Sequence, residues 1–98
     1  MIAYVIGEEE VILGFALAGV AGAAPTDREA ALRDFAAATK RSDLLVLVTE
    51  VVAEWIADEI RAAVLSGKMV QVIPGIRPAR EHGPDSQTLL LSALGVKL

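Results

Sequence analysis

The sequence has no cysteine, a single histidine, few aromatics and fewer bases than acids. Without cysteine there is no disulfide, no thiolate nucleophile and no Cys-ligated zinc or iron–sulfur centre. One histidine, His82, cannot build a His-rich metal site. Aromatic residues are 4% of the 98, so the core has to be aliphatic. Lys and Arg number 9 against 13 Asp and Glu, a net charge of −4. That balance argues against nucleic acid as a partner, because phosphate neutralisation needs clustered cations. The longest apolar run, residues 11–24, is broken at Pro25. It falls short of the roughly 20 residues that span a bilayer. Glu8, Glu9 and Glu10 precede it, the wrong sign for the start of a signal peptide. The expectation is a cytoplasmic chain with no membrane insertion.

What is present is 54% apolar residues, enough for one core in a single α/β domain over residues 1–98. Charge is unevenly spread: residues 1–60 carry 11 acids and 4 bases, residues 61–98 carry 2 acids and 5 bases. The last third is a basic, apolar end on an acidic body.

Residues 1–6 form an apolar run ended by Gly7, the pattern of a buried strand. Glu8, Glu9 and Glu10 suit a helix first turn, where acids face the positive end of the macrodipole. Val11, Phe15 and Ala18 share a face of that helix, and Gly19 stops it. Residues 20–24 read as a second strand. Thr26 and Glu29 have the spacing of a capping box, which opens a helix through Leu32, Phe35 and Ala36. Leu44-Leu45-Val46-Leu47-Val48 are five consecutive aliphatics, expected of a central parallel strand covered on both faces. Thr49 can cap the next helix, in which Val52, Ile56, Ile60 and Val64 repeat every four residues until Ser66-Gly67. Trp55, one position off that stripe, is either the rim of the core or a partner anchor. Residues 69–73 give a fourth strand, stopped by Pro74-Gly75. Residues 1–74 would thus form the sheet core, 75–84 a loop, and 85–98 a last apolar helix and tail. Alternating strands and helices predict a four-stranded parallel sheet flanked by helices, a truncated flavodoxin-like or receiver-like fold. Right-handed crossovers give the order 2-1-3-4.

Ligands of such sheets bind at the carboxyl ends of the strands, here residues 7–10, 49–50 and 74–77. Gly14 and Gly19 have phosphate-loop spacing, but Val20-Ala21 replace the Lys and Ser/Thr that should follow. Three glutamates at the first strand-to-helix turn would repel a phosphate. A receiver-type phosphoacceptor would need Asp where Thr49 stands. Ser66, Ser86 and His82 lack any triad-like context. No catalytic residue, cofactor or metal is therefore expected. A receiver-like signalling or protein-binding module without the phosphoacceptor remains an alternative, as does a small ligand binder using residues 7–10.

The tail carries more. Leu89, Leu90, Leu91, Ala93 and Leu94 cover nearly the whole circumference of a short helix. Either the core contact is large, or part of this surface binds another protein, with Arg77, Arg80 and Lys97 at its rim. Exposed leucines could also drive self-association of the isolated chain.

At Ile6-Gly7-Glu8, and again at Gly14-Phe15-Ala16-Leu17-Ala18-Gly19-Val20, the chain resembles the F subunit of the V-type/A-type rotary ATPases. Val48-Thr49-Glu50, Val72-Ile73-Pro74, Asp85-Ser86 and Gly95-Val96 continue the resemblance in register. It implies a non-catalytic central-stalk rotor component, cytoplasmic and peripheral to the membrane. Such a component would bind the coiled-coil, D-type stalk subunit and, through it, the catalytic A/B hexamer. It would help couple ATP hydrolysis or synthesis to ion transport. The expected interface is Arg77, Arg80, Leu89, Leu90, Val96 and Leu98.

Overall fold

The computed structural model describes residues 2–75. In chain order these form β1 (Ile2–Ile6), α1 (Glu9–Leu17), β2 (Ala21–Ala23), α2 (Arg28–Thr39), β3 (Leu44–Thr49), α3 (Glu50–Trp55), α4 (Ala57–Leu65) and β4 (Val70–Ile73). The strands make one parallel sheet in the order β2-β1-β3-β4, as the alternation of elements predicts. The loop expected at residues 75–84, apart from Gly75, and the last helix lie outside the described residues.

Two apolar clusters flank the sheet. The larger joins Ile6, Leu44, Val46 and Val48 to Ala31, Phe35 and Ala38 of α2 and to Val52 of α3, with Ile56 beside them. The smaller joins Val5 to Val11 and Phe15 of α1, with Leu47 and Ile73 partly buried against it. Within β3 the residues of the first face are buried, while Leu45 and Leu47 are only half-buried. The last helix, expected to pack on the sheet, lies outside the described residues. Among the described residues α2, α3 and α4 contribute to the larger cluster, and α1 alone of the helices builds the smaller one.

The ends of α1 and α4 are built alike. At α1 the Val20 amide donates to the Phe15 carbonyl and Gly19 donates to Ala16, both at 3.0 Å. Gly19 has φ +84°, the left-handed conformation that this closure requires. Val20 then packs back on the cluster containing Phe15. The Gly14–Val20 stretch thus contains a complete helix-stop device: an acceptor and core anchor, a left-handed glycine and an apolar closing residue. At α4 the Lys68 and Gly67 amides make the same bonds to Ala63 and Val64, with Gly67 at φ +91°.

Two local expectations are corrected. The cap of α2 is Asp27 rather than Thr26: the Asp27 carboxylate accepts from the Ala30 amide at 2.8 Å. The helix after β3 is not continuous, because it breaks at Ile56 with φ −128° and ψ 34°. The Trp55 carbonyl there accepts instead from the Arg28 guanidinium at 3.0 Å, and the same guanidinium reaches Glu59 at 3.3 Å. Ile56 itself is fully buried at the break, while Val64, expected on the inner stripe, is 50% exposed. Trp55 packs partly buried against the larger cluster, which makes it a rim of the core.

Candidate functional site

The carboxyl edge of the sheet is formed by the turn after β1, the end of β3 and the turn after β4. Glu8 stands at the N-cap position of α1 with extended backbone, but its side chain makes no capping bond. Glu9 and Glu10 occupy the exposed first turn, where acids favour the helix dipole. The three glutamates therefore divide: two serve the helix end, and Glu8 turns to the neighbouring strand.

Thr49, the last residue of β3, is fully buried, and its hydroxyl donates to Glu8 Oε1. It stands at the N-cap position of α3 without capping it. The expected capping role is thus replaced by a bond across the sheet edge. A buried hydroxyl needs a partner, and this one is satisfied by an anionic acceptor from the turn after β1. Gly7 makes the approach feasible. A Cβ on Gly7 would collide with the Thr49 methyl and lie 3.0 Å from its hydroxyl oxygen. On the other side Gly75 abuts the Glu8 carboxylate. A Cβ there would collide with Oε2 and lie 3.3 Å from Cδ. One carboxylate thus spans the ends of three strands: it follows β1, is bonded to β3 and lies against the turn after β4.

At this edge, where open α/β sheets receive ligands, Glu8 and Thr49 engage each other. Thr49 stands at the end of β3, where a phosphoacceptor aspartate would be needed. Gly14 lies within α1 and Gly19 behind it, so the phosphate-loop spacing falls on a helix end and not on a strand-to-helix turn. Among the described residues no group of three or more His, Asp or Glu could hold a metal ion. Two hollows lie away from this edge. One of about 140 Å³ is at the amino ends of β3 and β4, between Ser42, Leu44 and Lys68. Another, of about 470 Å³, runs between α2 and α4 along Leu32, Phe35, Ala62 and Ala63. Ser66 donates to the Ala63 carbonyl at 2.9 Å, a helix-end role.

Arg77, Arg80, Leu89, Leu90, Val96 and Leu98, expected to form an interface, lie outside the described residues, as do His82 and Ser86. The Glu8–Thr49–Gly75 contact was not expected from sequence. Its available signal was a threonine directly after five aliphatics, with glycine ending the first strand and following the fourth.

Among the described residues no helix is long and apolar enough to cross a membrane. No match to the chain is found among curated proteins. A model of the family described as ATP synthase (F/14-kDa) subunit matches residues 3–89, which takes in the sheet apart from Ile2 and ends within residues 85–98. Members of that family are generally non-catalytic. The match covers most of the chain, and the sheet has the order expected from the resemblance: the chain belongs to the family of the ATP synthase (F/14-kDa) subunit, which is the F subunit of the V/A-type ATPases.

Proposed function

We propose that the chain is a rotor part of the central stalk, doing no chemistry itself. It binds the coiled-coil, D-type stalk subunit and turns with it beneath the catalytic A/B hexamer. It thereby helps couple ATP hydrolysis or synthesis to ion transport, from a cytoplasmic position peripheral to the membrane. The observation that carries this reading is the family match over residues 3–89.

The binding face in this reading is Arg77 and Arg80 with Leu89, Leu90, Val96 and Leu98. Cations rimming an apolar surface suit an acidic partner, and the charges act mainly on encounter rate and specificity. Charge reversal at Arg77 and Arg80 should weaken the complex with the D-type stalk subunit, and weaken it more at low salt than at high salt. Affinity that is unchanged at every salt concentration contradicts this face.

A further inference from the structure

We propose that Glu8 is a positioning residue: its carboxylate fixes where the chain leaves the sheet, and so where the stalk-binding residues begin. This rests on the stalk reading for its consequence, but its geometry stands without it.

Thr49 is opposite Ile73 in the β3–β4 register, which puts Gly75 just beyond the paired ends. The Thr49 hydroxyl holds one Glu8 oxygen from the β3 side. The other oxygen lies against Gly75, where a Cβ would have to push the carboxylate aside. Pro74, with its fixed φ, links this contact to the last paired residue of β4. Arg77 and Arg80, proposed for the stalk contact, follow Gly75 by two and five residues in sequence. Nothing in the helix requires this of Glu8, because Glu9 and Glu10 already supply the acids of the first turn. A side chain that does not cap its own helix, and that bonds a fully buried hydroxyl at the end of the neighbouring strand, is placed for bracing.

The test uses the full chain and four variants. Thr49→Val removes the donor and keeps the volume. Glu8→Ala removes the acceptor, and Glu8→Gln keeps a carbonyl acceptor of the same length. Ala31→Gly, in α2, is a destabilised control away from the edge. The backbone order parameter of Gly75 from amide relaxation, referred to Val5 and Ile6, should fall in Thr49→Val and Glu8→Ala. It should stay near the parent value in Glu8→Gln and Ala31→Gly. Affinity for the D-type stalk subunit should fall about tenfold in the first two variants and hold in the other two, since binding then has to order what the brace had preorganised. An order parameter at Gly75 that falls equally in all four, or in none, overturns the brace. A lowered order parameter with unchanged affinity overturns the positioning role. If the parent chain does not bind the stalk partner at all, the stalk reading fails, and the order parameter alone decides whether Glu8 holds Gly75.

Discussion

Gly7 shows how much one missing methyl can decide. It lies fully within the packed edge, and any side chain there would strike the Thr49 methyl. Gly7→Ala should cost about 1–3 kcal/mol, the usual penalty of forcing extra volume into a packed site. Urea denaturation checks this: the midpoint falls and the slope stays constant if the fold is otherwise intact. Asp43 illustrates a different residue-level effect. Its carboxylate takes two bonds from the Arg41 guanidinium, at 3.1 and 2.7 Å, which holds its pKa below the ordinary 3.8. A depressed pKa in the folded state contributes stability fully above the unfolded value, and that contribution disappears as pH falls through the folded value. The difference in denaturation midpoint between the parent and Asp43→Asn should therefore be constant from neutral pH down to the ordinary carboxylate range. Below that range it should shrink, and the pair is exposed, so it should also shrink with salt. Gly7 as a strand stop was legible in the sequence. Its contact with Thr49 was not, because the two residues meet only once β1 and β3 have paired.

Elements were legible where their signals are local. The stop of α1 is encoded within six residues, Phe15 to Val20, and the sequence pattern located it. The start of α2 was misplaced by one residue for a physical reason: Thr and Asp are both good caps, and the Thr26–Glu29 spacing favoured the wrong one. Asp27→Ala should cost about 1 kcal/mol of stability, whereas Thr26→Ala should stay within about 0.5 kcal/mol. Thermal unfolding of the two variants separates the two caps. The break between α3 and α4 could not be read from periodicity. The group that takes the Trp55 carbonyl is Arg28, 27 residues earlier in the chain. Before the fold exists, Val52, Ile56, Ile60 and Val64 look like one uninterrupted stripe, and the tertiary hydrogen bond overrides it. Ile56→Ala, at the fully buried break, should cost about 2–5 kcal/mol in the same assay.

At the scale of the molecule, the sheet order followed from two rules, alternation of strand with helix and right-handed crossover. The run of aliphatics in β3 says that both of its faces are apolar. The described helices bury one of those faces and leave Leu45 and Leu47 half-covered. The expected interface residues, all beyond Gly75, belong to the proposal and not to the described fold. In the proposed function this chain acts by binding the stalk. Co-expression with the same source's D-type stalk subunit, then size-exclusion chromatography with light scattering, decides whether it does. One peak with the mass of a one-to-one complex is expected. Two separate peaks, each with the mass of its own component, would contradict it.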